Sequence, residues 1–101
     1  MARYDFTEQA AEDLRGITRY TKQMWDLAQA CHYRQELELA LQSLSLHPQM
    51  CRERGEIAPK VRSFRVAAHI AFYVPRRGGI TILRLLHPSM DVDSAFDDSE
   101  K

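Results

Sequence analysis

Several features that define particular classes of protein are scarce or absent in this sequence. It has only two cysteines in 101 residues, Cys31 and Cys51, which fit neither the paired spacing of a zinc site nor a disulfide framework. It contains no run of about 18 apolar residues that would predict a membrane span, and the segment MARYDFTEQAAEDL lacks the apolar core of a signal peptide. Glycine-rich phosphate loops and nucleophile elbows are also missing. We therefore expect a cytoplasmic protein with free thiols and without a metal, a cofactor or a membrane partner.

The chain has no net charge, but its charges are unevenly distributed along the sequence. Between Arg52 and Arg84 there are eight basic residues and two acidic ones, whereas the segment from Asp91 to Lys101 carries five acidic residues and one lysine. A basic segment of this density attracts anionic partners, either nucleic acid or an acidic protein surface. The alternative is a solvated basic face that the acidic tail balances.

Hydrophobic periodicity in the first half of the chain predicts a short strand and two helices. Residues 2–6 alternate as in a strand, and Thr7 is a favourable N-cap for the helix that follows. The second helix is expected from about Ala28 to Leu46, because His47 and Pro48 end it. The short connection between the helices predicts an antiparallel hairpin. The two apolar stripes comprise Ala10, Leu14, Ile17, Thr21 and Met24, and then Ala30, Tyr33, Leu37, Ala40, Leu41 and Leu44.

The second half of the chain reads as a loop followed by three strands. The loop from Gln49 to Lys60 contains a glycine and a proline and shows no period. A turn from Pro75 to Gly79 ends in two glycines, which supply the positive φ angles of a tight hairpin. The three β-rich runs are Val61 to Ala67, His69 to Val74, and Ile80 to Leu86.

Together these elements predict one α+β domain over residues 1–96. Its N-terminal short strand precedes an antiparallel helical hairpin, and the hairpin packs on a three-stranded antiparallel meander. The acidic residues 97–101 are expected to be disordered.

Alternation along the strands sorts side chains onto two faces of the sheet, provided that no bulge reverses it. Arg65, Tyr73 and Arg84 are expected to converge on an open face, and Arg62 is expected at the rim of the core face. The side chains expected to face the core are Phe64, Val66, Ile70, Phe72, Val74, Leu83 and Leu85, whereas His69 and Ile82 have the opposite parity.

A set of Arg65, Tyr73, Arg84 and His87 on an open sheet can perform phosphodiester chemistry. Arginine stabilises the charge that develops on a phosphorane, and histidine or tyrosine can relay a proton near neutral pH. The alternative interpretation is a group of cross-strand pairs on a solvated face. Stacking of single-stranded nucleic acid needs several exposed rings among basic residues, and only Tyr73 meets this description.

The order of elements and three segments resemble the ParE branch of the RelE/ParE toxin superfamily. The segments are VRSFRV at residues 61–66, HIAFYV at 69–74 and ITILRLLHPSMD at 80–91. The last segment is similar to the terminal pattern of that family, which is an apolar strand, Leu-His, two variable residues and Met-Asp. The loop with Pro48, Arg52 and Gly55 fits the resemblance as well.

The resemblance implies a toxin that is not an enzyme, inhibits DNA gyrase and is neutralised by a ParD-like antitoxin. A poorly ordered antitoxin segment suits the basic sheet and the groove beside the helical hairpin, and no direct sequence-specific nucleic-acid binding is expected. The predicted target contacts are Arg65, Arg84, His87, Met90 and Asp91. The predicted antitoxin contacts are Arg62, Arg65, Tyr73, Arg76 and Arg77.

Two other functions stay open at this point. One is a ribosome-dependent mRNA endonuclease of the RelE type that uses Arg65, Tyr73, Arg84 and His87. Its terminal motif differs from the one in this sequence, and the neutral net charge argues against a ribosomal target, where phosphate contacts dominate affinity. The other is a non-toxic interaction module whose basic sheet binds an acidic partner.

Overall fold

A computed structural model describes residues 3–24, 26–66 and 69–87 of the chain. Its elements follow in the order strand, helix, helix, strand, strand, strand, which confirms the α+β class. They are β1 (Arg3–Phe6), α1 (Glu8–Met24), α2 (Leu27–Leu46), β2 (Arg62–Val66), β3 (His69–Arg76) and β4 (Gly79–Leu86). The predicted domain boundary at residue 96 and the acidic tail at 97–101 lie outside the described residues.

The described strands form one mixed sheet in the order β1-β4-β3-β2. Strands β2, β3 and β4 make the predicted antiparallel meander, but β1 joins it by pairing parallel to β4, with Arg3 opposite Gly79 and Phe6 opposite Ile82. The predicted meander is therefore confirmed, but the sheet has one strand more than the meander, because the predicted N-terminal strand, whose place in the strand order the sequence left open, joins it. A parallel partner that is reached only through two helices leaves no local pattern in the sequence, so periodicity could not place β1.

Both helices begin at a residue whose side chain caps the first turn. Thr7 Oγ1 accepts a hydrogen bond from Ala10 N at 3.1 Å, which confirms the predicted N-cap of α1. The same hydroxyl donates to Leu83 O at 2.9 Å, so the cap also ties α1 to β4. At the start of α2, Asp26 Oδ1 accepts from Gln29 N at 2.8 Å.

The main hydrophobic core lies between the helical hairpin and one face of the sheet. Leu37, Leu41 and Leu44 of α2 are at most 1% exposed, as their predicted stripe requires. Helix α1 contributes the fully buried Ala10, but its predicted stripe does not continue to Met24, which is 60% exposed. The sheet contributes Val66, Ala71, Tyr73, Ile80, Ile82 and Leu85 to the same cluster.

A second, smaller cluster covers part of the opposite face of the sheet. The loop at residues 49–60 passes the β2 edge, where Glu53 forms a bridge with Arg62 and Arg54 N donates to Val61 O at 2.5 Å. The Arg54 guanidinium carbon lies 5.9 Å from the centroid of the Phe72 ring. This face was expected to be open, and that expectation was wrong here because the loop supplies apolar cover. The cluster consists of Val61, Phe72 and Leu86, with Ile57, Ala58, Ile70, Val74 and Leu83 packed against it.

The hairpin between β3 and β4 is tighter than the predicted turn, because its strands extend to Arg76 and from Gly79. Of the two glycines, only Gly78 has a positive φ, at 82°. Gly79 is required for a different reason. A Cβ atom at this position would lie 1.7 Å from the Arg3 carbonyl oxygen. Gly79 therefore allows β1 to approach β4 closely.

Candidate functional site

A β-bulge in β4 decides which side chains of the sheet share a face. Phe72 lies opposite Arg84 and Tyr73 lies opposite Ile82, so Leu83 is the extra residue. Because the bulge resets the alternation, Ile82 packs in the helix-facing core and Leu83 packs on the other side. Both residues were expected on the opposite faces, and those two expectations were wrong.

Tyr73 lies in the core and not on an open face, where alternation placed it. Its side chain is 0% exposed, and its hydroxyl donates to Pro48 O at 3.1 Å. Burial, together with the neighbouring Cys51, raises the pKa of Tyr73. Strand β3 is covered on both faces, so alternation alone could not tell which face meets the helices. The expected convergence of Arg65, Tyr73 and Arg84 is therefore wrong, and the Tyr73 hydroxyl holds the chain just after α2.

Arg84 is held by a carboxylate from α1. Its Nε donates to Asp13 Oδ2 at 2.8 Å and its Nη2 donates to Asp13 Oδ1 at 3.2 Å, which makes the pair bidentate. Asp13 Oδ2 also accepts from Leu85 N at 3.0 Å. The Arg84 and Asp13 side chains are 17% and 16% exposed. The pair therefore joins α1 to the part of β4 that extends beyond β1.

The other arginines of the predicted contact sets are spread over the molecule. The Arg62 guanidinium donates to the Cys51 carbonyl, and its half-buried place on β2 confirms the expected rim position. Arg65 is exposed on β2, whereas Arg76 and Arg77 are exposed at the β3–β4 turn. The structure thus gives no single surface that all these residues share, and their roles stay predictions.

An open groove of about 720 Å³ lies between α1, α2 and the end of the sheet. Its lining includes Ile17 and Tyr20 from α1, Tyr33 from α2 and Leu85 from β4. Tyr20 is 59% exposed although its ring is apolar. Gly16 also lines the groove, and a Cβ atom there would have no atom within 4 Å. A concave, largely apolar site of this size suits a ligand or a peptide segment.

Titratable side chains meet at the sheet end of this groove. The rings of His69 and His87 have centroids 5.7 Å apart, and Tyr33 Oη lies 3.4 Å from His69 Nδ1. Burial, and then the nearby His87, lowers the pKa of His69. Burial, and then Glu36, raises the pKa of Tyr33 to about 12. Near neutral pH, the groove therefore offers a neutral imidazole and a neutral phenol as hydrogen-bonding groups.

The sequence predicted a groove beside the helical hairpin and placed His87 in the target-binding set, but it did not indicate that His87 lines this groove. It also missed Asp13, although a signal was present. Asp13 follows Ala10 by three residues and precedes Ile17 by four, so it falls on the apolar stripe of α1. A carboxylate on such a stripe requires a cationic partner. The predicted contacts Met90 and Asp91 lie outside the described residues.

Within residues 3–24, 26–66 and 69–87, no group of three or more histidine, cysteine, aspartate or glutamate side chains is placed to hold a metal ion. None of the helices in these same ranges is both long and apolar enough to cross a membrane. Both cysteines are free thiols, as predicted.

Comparisons with known proteins assign the chain to a family. The profile of the family described as ParE toxin of type II toxin-antitoxin system, parDE, matches residues 4–92. The chain is 33% identical to Toxin ParE of Escherichia coli, with 100% of this chain and 99% of the relative covered. It is 34% identical to Toxin ParE1 of Mycobacterium tuberculosis strain H37Rv, with coverage of 91% and 95%.

A solved structure described as the chromosomal ParDE TA system from P. aeruginosa shares the fold. It superimposes with a TM-score of 0.71 at 21% identity, covering 86% of this chain and 96% of that chain. Sequence and fold therefore agree with the resemblance carried by the terminal segment. The chain belongs to the ParE toxin family of type II toxin–antitoxin systems.

Proposed function

We propose that this ParE-family toxin inhibits DNA gyrase without catalysing a reaction, and that a ParD-like antitoxin neutralises it by occupying the groove between the two helices and the sheet. The open groove of about 720 Å³ is the observation that carries the antitoxin part of this proposal. A groove flanked by two helices receives the apolar face of an amphipathic segment.

The charges that line the groove specify the segment further. Glu12 of α1 and Glu36 of α2 lie on its two walls, and its described lining contains no lysine or arginine. Glu36 Oε2 lies 3.7 Å from His32 Nε2, and both side chains are solvent-exposed. An antitoxin segment that fits should therefore place apolar side chains against Ile17 and Tyr20 and basic side chains beside the two glutamates.

Filling the groove tests where the antitoxin binds. Gly16→Trp places an indole in open space, since a side chain at this position meets no atom within 4 Å at its Cβ, and tryptophan has a higher helix propensity than glycine. We expect Kd for the cognate antitoxin to rise at least about 100-fold, which corresponds to about 3 kcal/mol. Titration calorimetry with purified toxin measures this change.

Gly55→Trp is the matched control, because Gly55 also has open space around its Cβ position and lies on the loop that covers the opposite face of the sheet. It is expected to leave Kd unchanged. If Gly55→Trp weakens binding while Gly16→Trp does not, the antitoxin binds the loop face and the groove assignment fails.

Two contacts support inhibition by binding over phosphodiester cleavage. Tyr73 is buried and bonded to Pro48 O, and its raised pKa makes it a poor proton donor near neutral pH. Arg84 is bonded to Asp13, so its guanidinium serves the fold. A catalytic set built on these two side chains would require both to leave their partners.

A supercoiling assay with purified protein tests the gyrase proposal. We expect loss of supercoiling and a stabilised cleavage complex at micromolar toxin. If the protein produces neither effect at this concentration, gyrase is excluded as the target. Cleavage of ribosome-bound mRNA that disappears in His87→Gln would instead favour the endonuclease. Harmless expression without the antitoxin would favour the non-toxic interaction module.

A further inference from the structure

Helix α1 separates two grooves of opposite charge. The first is the groove described above, whose described lining carries Glu12 and Glu36, together with Asp13 that is paired with Arg84, and no lysine or arginine. The second groove, of about 680 Å³, lies on the other side of α1. Among the described residues it is lined by no aspartate or glutamate, and its charged residues are Arg15, Arg19, Lys22 and Arg34.

The basic lining continues from the second groove to a corner of the sheet. Phe6 borders both the second groove and a cavity of about 670 Å³ where β1 meets the β3–β4 turn. This corner carries Arg3, Arg76 and Arg77, with Asp5 as its single acidic side chain among the described residues. We name the seven basic residues of the groove and the corner the cationic track. It holds half of the 14 lysines and arginines of a chain that has no net charge.

The charges of the track are available to a ligand. Arg15 pairs with Glu12 at 3.4 Å, but the two side chains are 60% and 74% exposed, and such pairs contribute little. Arg76 Nε donates to the neutral Thr81 Oγ1 at 3.0 Å and keeps its charge uncompensated by that contact. Within the described residues, no other ion pair involves the track.

Three cations of the track form a row along α1. Arg15, Arg19 and Lys22 follow at intervals of four and three residues on one side of α1, which places them about 6 and 4.5 Å apart along the helix axis. One strand of duplex DNA presents a phosphate about every 3.4 Å along its axis. Successive cations therefore lie within reach of neighbouring phosphates.

The degree of exposure favours a nucleic-acid surface over a protein-binding one. The apolar side chains Phe6 and Leu14 of the second groove pack against the core and are only partly exposed, whereas its basic side chains are exposed. Cores of protein interfaces are depleted in charge and depend on a few apolar or aromatic anchors, whereas interfaces with DNA are strongly positive. None of the large hydrophobic side chains exposed in the described part of the chain lines the second groove or the corner. Those side chains are Tyr20, Met24, Leu27, Leu39, Leu46 and Met50.

We propose that the cationic track binds the phosphate backbone of double-stranded DNA without reading its sequence. The choice of DNA over other polyphosphates rests on the proposed function, because a gyrase that is being inhibited is itself bound to duplex DNA. The track would hold the toxin beside the DNA segment that gyrase engages, while other residues contact the enzyme.

The test is the salt dependence of DNA binding by the full chain, measured by fluorescence anisotropy with a labelled duplex of arbitrary sequence and without gyrase. If four to six phosphates are neutralised, the plot of log K against log salt has a slope of about −4 to −5. Arg19→Gln combined with Arg34→Gln should make that slope less negative by about 2. An RNA duplex of the same sequence is measured alongside and should not bind more tightly than the DNA.

The matched control removes two exposed charges elsewhere, with Arg52→Gln and Lys60→Gln on the loop at residues 49–60. It should leave the slope within experimental error, and both variants should melt like the wild type. Equal losses in the two variants, tighter binding of RNA, or a slope near zero for the wild type would each overturn the proposal. Loss of antitoxin affinity without loss of DNA affinity in the Arg19/Arg34 variant would assign the track to an acidic protein partner and overturn it as well. Since gyrase is absent, failure of the gyrase proposal shows only in the supercoiling assay and is separate from these outcomes.

Discussion

Removal of the Asp13 carboxylate is expected to destabilise the protein by about 3 kcal/mol. Breaking a buried ion pair by deleting one partner costs about 3–5 kcal/mol, because the other charge stays buried without compensation. The expected loss lies at the low end of this range, because the Arg84 and Asp13 side chains are still 17% and 16% exposed to solvent. Asp13→Ala also deprives Leu85 N of its acceptor.

Thermal unfolding measures this loss directly. For a domain of this size, each kcal/mol shifts Tm by about 4–8 °C, so Asp13→Ala should lower Tm by about 12–24 °C. Glu12→Ala is the control, because Glu12 forms an exposed pair with Arg15 at 3.4 Å. That pair contributes at most about 1 kcal/mol.

A double-mutant cycle decides whether the two side chains act as a pair. The combination of Asp13→Leu and Arg84→Met replaces both charges by apolar groups and should be more stable than either single variant. If the stability losses of the two single variants sum to the loss of the double variant within about 0.5 kcal/mol, the pair is not coupled and the reasoning is refuted. The double variant also separates two roles of Arg84. Retained inhibition of gyrase means that Arg84 acts through the fold, and lost inhibition in a folded double variant means that it contacts the target.

Three further predictions concern single positions. Gly79→Ala places a Cβ atom 1.7 Å from Arg3 O and should lower the free energy of unfolding by at least about 2 kcal/mol, measured by denaturant unfolding. Gly16→Ala adds a Cβ atom that meets no atom within 4 Å and should stabilise α1. Equal stability of the two variants would contradict the close approach of β1. Tyr73→Phe removes the donor to a loop carbonyl and should cost about 1–3 kcal/mol while leaving toxicity intact at a permissive temperature, so that loss of toxicity at full stability would restore a chemical role for the hydroxyl. Because the pKa of His69 is lowered in the folded protein, the unfolded chain takes up the proton first as pH falls below about 6.5. The stability that the neutral His69 contributes is therefore present above that pH and is lost on acidification. The fall in Tm between pH 7.5 and pH 5 should be smaller in His69→Gln.

The sequence predicted best those elements whose neighbours are local. The stripe of Leu37, Leu41 and Leu44 and the N-cap at Thr7 depend on spacings within one helix, and both are confirmed. The position of β1 depends on a strand that is distant in the sequence, and nothing in residues 3–6 indicates it. The predicted position of Tyr73 on an open face was wrong for a related reason. Period-two sorting assumes one covered face, whereas β3 is covered on one side by the helices and on the other by the loop.

The candidate site was harder to predict than the fold, because a single extra residue rearranges it. Leu83 bulges where β1 ends, and its carbonyl is held by the hydroxyl that caps α1. Beyond this point α1 takes the place of β1 along β4, and Asp13 bonds Leu85 N in place of a strand partner. The bulge, the helix cap and the ion pair thus form one junction, and no local sequence pattern predicts it. The basic residues that the sequence grouped by proximity in the chain are in consequence separated in space.

The position of α1 between the two grooves makes neutralisation and DNA binding separable. An antitoxin segment that lies against Ile17 and Tyr20 occupies the side of α1 opposite to Arg15, Arg19 and Lys22. Such a segment leaves the cationic track accessible unless the antitoxin also wraps around the helix. Gly16→Trp should therefore reduce antitoxin affinity and preserve the salt slope of DNA binding, whereas Arg19→Gln with Arg34→Gln should do the reverse. If either change affects both measurements equally, the antitoxin spans both sides of α1, and it then neutralises the toxin partly by displacing DNA.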